Sequence, residues 1–172
     1  MRSLISTLRL ALVALAVACV TGCGFQLRGA YNLPYESLYI TGGDISVIPA
    51  GLKRAIRSSG STRVVEKAED AQATFVPTGE WRDPVILSLS SSGRVREKRL
   101  RYRYGYRVID SKGRDLVPPA IVELNRDITY ADSDVLAKTQ EEDLLWRDME
   151  LDLVQQLLRR LASAKPTPPA EG

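Results

Sequence analysis

The chain has 172 residues, 44% apolar and 26% charged, with a formal net charge of +3. This length and composition predict one globular domain and exclude a largely disordered chain. The sequence contains no histidine, which excludes histidine triads and most zinc sites and removes the commonest general base.

The first 22 residues read as an address. Arg2 and Arg9 form a short positive region, and Leu10 to Val20 is an uncharged apolar run. A membrane-spanning helix needs about 20 apolar residues, whereas the core of a signal peptide needs about 7–15. The run of 11 residues therefore fits a signal peptide. Two cysteines, Cys19 and Cys23, are too few and too close for a disulfide framework, and without His they make a poor metal site. Val20-Thr21-Gly22-Cys23 instead resembles the lipobox of bacterial lipoproteins. That resemblance implies cleavage before Cys23 and a covalent lipid anchor on it, including an amide-linked acyl chain such as palmitate. Cys19 then falls in the discarded segment. Gly24, where an Asp would favour retention at the inner membrane, points to the inner leaflet of the outer membrane. Several acyl chains on one residue give stable attachment, which one chain alone does not. Removing Arg2 and Arg9 from the 24 basic residues leaves 22 against 21 acidic ones, so the remaining chain is nearly neutral.

From Glu36, "ESLYITG" alternates as a short strand with Leu38 and Ile40 on one face, ended by Gly42-Gly43. "DISVIPAGLKRAIRSSG" reads as a helix. Ile45, Ile48, Leu52 and Ile56 fall at helical spacing, Pro49 suits the first turn, and Gly60 suits the stop. "TRVVE" is a short strand. "AQATFVPTGEWRDPVILSLSS" is a longer one, interrupted at Pro77 and Asp83-Pro84, where an edge, bulge or break is required. Ser90 to Gly93 is a loop tip. Alternation resumes from Arg94 to Ile109, "DSKGRDL" is a turn, and "AIVELNRDITY" is the last strand.

Thr139-Gln140-Glu141-Glu142 fits a capping box and predicts the start of a long helix. Trp146, Met149, Leu153, Leu157 and Leu161 form its apolar stripe, widened by Leu145, Val154 and Leu158. Acids near its start (Glu141, Glu142, Asp143) and Arg159 and Arg160 near its end suit the macrodipole. Burying five such side chains is worth about 7–15 kcal/mol before entropy. The fold class expected is α+β: a two-layer sandwich with two helices on one face of a mainly antiparallel sheet of about four strands. The expected organisation is a cleaved segment 1–22, a single domain over 23–164 and a disordered proline-rich tail over 165–172.

The most informative chemistry lies in "RVREKRLRYRYGYRVID". Arg94 to Arg107 holds seven basic residues and one acid, Glu97. On a strand, Leu100, Tyr102, Tyr104, Tyr106 and Val108 point one way, and Arg99, Arg101, Arg103 and Arg107 point the other. Charges on that second face repeat about every 6.8 Å, a spacing that phosphates or carboxylates can bridge by bidentate contacts. The face fits a solvated surface that discourages edge pairing. It also fits an anionic partner at the outer membrane, with lipopolysaccharide the obvious candidate. Nucleic acid, a third partner for such a strand, is opposed by the lipobox, because the protein leaves the cytoplasm.

The chain resembles the LptE family of lipopolysaccharide-assembly lipoproteins. The resemblance rests on "CGFQLRG", on "VILSLSSSGRVREKRLRYRYGYRVID" and on "DITYADSDVLAKTQEEDLLWRDMELDLVQQLLRRL", with Leu136-Ala137-Lys138 ahead of the acidic, amphipathic helix. It implies a non-catalytic plug inside the β-barrel of LptD that assists barrel assembly and helps lipopolysaccharide reach the surface. It also implies lipopolysaccharide contacts from basic residues near the hairpin tip and near Lys138. Candidate ligand-binding residues are therefore Arg94, Arg96, Lys98, Arg99, Arg101, Arg103 and Lys138, with Cys23 the lipidation site. At the tip, Ser90 to Ser92 precede Gly93 where a basic residue would be expected, so Arg94 and Arg96 stand in for it. No metal and no cofactor beyond the lipid anchor are expected. The competing reading is a stand-alone lipoprotein that binds peptidoglycan or another envelope polymer. A hydrolase is disfavoured, since no Gly-x-Ser-x-Gly and no evident carboxylate pair occur.

Overall fold

The computed structural model describes residues 31–43, 46–130 and 135–164. The predicted signal segment, Cys23, Ile45 and the proline-rich tail lie outside these residues.

Strand β1 (Ser37–Ile40) is short, and its alternation buries Leu38 and Ile40. Helix α1 (Val47–Ser59) buries Ile48, Leu52 and Ile56, the predicted spacing. It stops at Gly60, whose φ of 70° is left-handed and whose N–H reaches the Ile56 carbonyl at 3.3 Å. Only glycine adopts that conformation without strain. Strand β2 (Arg63–Val65) and a short helical turn (Ala68–Asp70) follow. Three long strands come next: β3 (Ala73–Leu89), β4 (Val95–Asp110) and β5 (Asp115–Thr129). Helix α2 (Val135–Ser163) closes the described chain.

The sheet has five strands in the order β2-β1-β3-β4-β5. The three long strands make it the mainly antiparallel sheet expected, but it has five strands, not about four, and is mixed. β1 runs parallel to both β2 and β3, and only β3, β4 and β5 form the antiparallel meander. The physical reason is the helix between β1 and β2. A helical crossover returns the chain to the sheet in its original direction, whereas a short turn reverses it.

One further expectation is met and another changes. β3 continues through its prolines, and of the edge, bulge or break expected it uses a bulge and an edge. Pro77 precedes a register shift, and Pro84 sits where β1, which pairs only as far as Phe75, has already ended. A proline costs no ladder bond on such an edge. Helix α2 begins at Val135, not Thr139. The preceding residues include Leu136, Ala137 and Lys138, good helix formers with no breaker among them, so Lys138 lies inside the first turn and Thr139 does not cap.

Both helices pack on one sheet face. Ile48, Leu52 and Ile56 of α1 and Met149, Leu153, Leu157 and Leu161 of α2 share one buried cluster with Leu38, Ile40, Phe75, Leu100, Tyr102, Tyr104, Tyr106 and Val108. The helices approach closely at Gly51, where a Cβ would stand 2.9 Å from Val154 Cγ2.

Candidate functional site

The antiparallel register sorts the basic residues onto two faces. Tyr102 and Tyr104 are buried against the helices, and Lys98 belongs to the same side of β4 by the period of two. Lys98 Nζ donates to Glu142 of α2 at 2.8 Å, and the Tyr130 hydroxyl donates to the same carboxylate oxygen at 2.9 Å. Burial pushes the Glu142 carboxyl up, but the hydrogen bonds and charge of Lys98 and Tyr130 overcome it, and the acid lies below its ordinary value. Lys98 is held above its ordinary value against the same desolvation.

Two further bases repeat this pattern along α2. Arg82 of β3 reaches Glu150 at 2.7 Å and lies over the Tyr102 ring at 4.8 Å, while the Tyr102 hydroxyl donates to Glu80 at 2.6 Å. Burial is the main cause that raises the Tyr102 phenol, with Glu80 adding to it. Arg126 of β5 pairs with Asp152 and approaches Asp148 at 3.7 Å. One base from each long strand therefore ties to the acids of α2. Sequence reasoning named Lys98 as a ligand contact and missed Arg82 and Arg126. Their signal was an odd charge on the core-facing register of each strand.

Arg99, Arg101, Arg103 and Arg107 lie on the opposite, open face, as the alternation predicts. Their charge is compensated by neighbouring strands. Arg99 makes a two-pronged contact with Asp127 at 2.7 and 2.8 Å. Arg103 and Arg101 meet Asp83 at 2.8 and 3.7 Å, and Arg107 approaches Asp115 at 3.8 Å. Asp83, Asp115 and Asp127, with Glu142 on the other face, thus offset much of the charge of a stretch that reads as strongly cationic alone.

The open face also carries Trp81, 41% exposed. Gly79 and Gly105 are direct cross-strand partners beside it. A Cβ on Gly79 would fall 2.2 Å from the indole, and one on Gly105 would fall 2.4 Å from Thr78 Oγ1 and 3.6 Å from the ring. The Arg103 guanidinium sits 5.4 Å from the indole centroid. The missing side chains let the ring lie down on the sheet.

The remaining candidates lie beyond the Lys98–Glu142 pair, toward the end of the sheet that carries the β3–β4 turn. The turn is tight: Ser90 N–H donates to the Arg94 carbonyl at 2.7 Å, and Gly93 N–H to the Ser90 carbonyl at 2.9 Å. Arg94 and Arg96 are exposed. The Tyr130 N–H donates to the Arg96 carbonyl at 2.9 Å, which brings the end of β5 alongside. Lys138 lies one helical turn before Glu142, the partner of Lys98, and bonds Glu141 at 2.7 Å. Residues some 40 apart in sequence are thereby gathered at one end. Among the described residues, no helix is long and apolar enough to cross a membrane, and no group of three or more His, Cys, Asp or Glu could hold a metal ion.

Comparison with known proteins gives one consistent result. The profile of the family LptE, described as lipopolysaccharide-assembly, matches residues 36–161. The LPS-assembly lipoprotein LptE of Yersinia pestis strain Pestoides F is 32% identical over 159 residues, covering 87% of this chain and 73% of that protein. The protein of the same name from Yersinia pseudotuberculosis strain IP 31758 matches equally. Among solved structures, lipoprotein B of Nitrosomonas europaea is 39% identical, with a TM-score of 0.70 over 81% of this chain and 91% of that one. Rare lipoprotein B of Shewanella oneidensis, 23% identical, shares the fold with a TM-score of 0.63 over 74% of this chain and 94% of that one. The chain belongs to the LptE family of lipopolysaccharide-assembly lipoproteins.

Proposed function

We propose that this lipopolysaccharide-assembly lipoprotein is anchored in the outer membrane through Cys23 after loss of residues 1–22. It seats in the LptD β-barrel, assists barrel assembly, and positions lipopolysaccharide for insertion at the cell surface without catalysing a reaction. The observation that carries the reading is the distal gathering of Arg94, Arg96 and Lys138, joined through the Tyr130–Arg96 backbone bond and the Lys98–Glu142 pair. Cations from a turn and from a helix, converging at one end, suit phosphates on a bulky glycolipid better than a single charged strand does. Arg94, Arg96 and Lys138 are the residues assigned to the ligand. Lys98 serves the helix instead, and Arg99, Arg101 and Arg103 serve the open face.

The barrel part of the proposal draws support from that open face. Barrel lumens are polar. A surface whose arginines are already compensated by Asp83, Asp127 and Asp115 presents polarity to such a wall without a large unpaired field. The test is gentle detergent extraction of the full chain from outer membranes. A stoichiometric complex with a large β-barrel is expected. Recovery as a monomer with no barrel would sink the plug reading and leave the stand-alone envelope-binding lipoprotein in its place.

A further inference from the structure

On the open face one apolar spot stands in a field of balanced charge. No register shift falls between Gly79 and Val85 of β3 or across their partners in β4 and β5, so the alternation there is unbroken. The cross-strand rows on this face are Gly79–Gly105–Ile121, Trp81–Arg103–Glu123, Asp83–Arg101–Asn125 and Val85–Arg99–Asp127. The opposite face of the same strands holds Tyr102, Tyr104, Val122 and Leu124, all buried in the cluster beneath the helices. The rows carry three arginines against Asp83, Glu123 and Asp127, so their formal charge is zero. Trp81 is 41% exposed and Ile121 is 54% exposed. The indole lies over Gly79 and reaches toward Gly105, and Ile121 is the next residue across in that row. No side chain of the row therefore stands between the ring and Ile121.

Two opposed glycines inside a sheet are a local cost, in backbone entropy and in lost packing. Here they hold a large ring flat, with the Arg103 guanidinium 5.4 Å from its centroid. A ring already fixed loses little freedom when a partner covers it. Tryptophan and arginine carry much of the binding energy of protein interfaces, at a centre ringed by polar groups. The zero formal charge of the rows decides the class of partner. It offers no net attraction to a phosphorylated ligand or an anionic membrane surface, and it matches a neutral, polar protein wall. Ile121 widens the spot with a side chain that offers nothing to the hydroxyls of a sugar.

We propose that Trp81 and Ile121 are the central contact between the open face and the polar lumen wall of the barrel, with Arg99, Arg101, Arg103 and their acidic neighbours as the surrounding rim. This rests on the barrel reading above and adds to it the patch that carries the affinity.

The test expresses two differently tagged full chains together at matched levels, wild type and Trp81→Ala, and measures their ratio in the barrel complex recovered by gentle detergent extraction. Trp81 lies on the surface, so the variant should keep the wild-type melting temperature. If it does not, Ile121→Ser takes its place, with about a threefold effect expected. The wild type should exceed Trp81→Ala by about tenfold or more, the scale of truncating a central interface tryptophan. Leu151→Ala, which trims an aliphatic side chain 69% exposed on α2, should compete as well as the wild type. A photoreactive benzoylphenylalanine in place of Trp81 should cross-link to the barrel. Equal incorporation of Trp81→Ala into a complex that the wild type does form overturns the contact alone, as does an equal loss in Leu151→Ala. Cross-linking from position 81 to lipopolysaccharide and not to the barrel overturns it too, and reassigns the indole to a sugar. A wild type that recovers no barrel overturns the barrel reading and the contact with it.

Discussion

Lys98 donates to Glu142 at 2.8 Å across the gap between the middle strand and the last helix, with about a fifth of each side chain exposed. The Tyr130 hydroxyl completes the carboxylate's shell. This places the one lysine of the basic strand among the ties of the fold, while the arginines beside it face away. A charge-assisted bond of this kind is worth about 1.5–3 kcal/mol when removed.

The tie has a defined pH window. Glu142 titrates below its ordinary 4.5, so its contribution is complete above that value and is lost as pH falls through the lower folded value. Lys98 titrates above 10.5, so its contribution is complete below that value and is lost as pH rises through the higher folded value. Glu142→Gln should lower the melting temperature between about pH 5 and pH 10. The gap to wild type should narrow below about pH 4. A gap of constant size down to pH 3, followed by circular dichroism, would show that the charge carries none of it.

Gly105→Ala should destabilise the sheet by about 1–3 kcal/mol, the usual cost of an added methyl with no room. Its Cβ would meet Thr78 Oγ1 at 2.4 Å. Gly79→Ala should instead lift the Trp81 indole, since the clash there is with the ring itself. Urea titration measures the first effect, and near-ultraviolet circular dichroism measures the second. Unchanged aromatic ellipticity in Gly79→Ala would mean the ring is not held on the glycine pair.

The outer edge of β5 is long and uncovered by a further strand, a template for unwanted pairing. Two arginines occupy its carbonyls: Arg160 donates to Ile121 O and Arg126 to Asn125 O, each at 3.1 Å. An Arg126→Ala/Arg160→Ala variant should self-associate at concentrations where the wild type stays monomeric. Sedimentation velocity reads the outcome. A monomeric double variant would show that the edge needs no such protection.

Arg94→Asp/Arg96→Asp should weaken lipopolysaccharide binding by tenfold or more at moderate salt, given the usual strength of charge-assisted contacts. Arg99→Gln/Arg101→Gln should change it less than about twofold, because those guanidinia lie on the open face of β4, away from the face that Lys98 and α2 share. Equal losses in the two variants would return the ligand to the open face.

Local periodicity made much of this legible. The stripe of Met149, Leu153, Leu157 and Leu161 is buried as the 3.6-residue spacing requires, and Tyr102, Tyr104 and Tyr106 are buried as the two-residue spacing requires. Both patterns are properties of neighbouring residues, so the sequence alone determined which face of each element is apolar. It could not determine what the other face meets. Arg99 and Asp127 are 28 residues apart, and Arg103 and Asp83 are 20 apart. Whether they touch depends on strand register, which bulges at Pro77/Gly79 and Tyr106/Val108 shift by whole residues. The parallel placement of β1 depended likewise on the α1 crossover. Charge acts across space while periodicity acts along the chain. Only the tertiary structure could therefore decide that most of the arginine row is spoken for and that the cations of the turn and of α2 share one end.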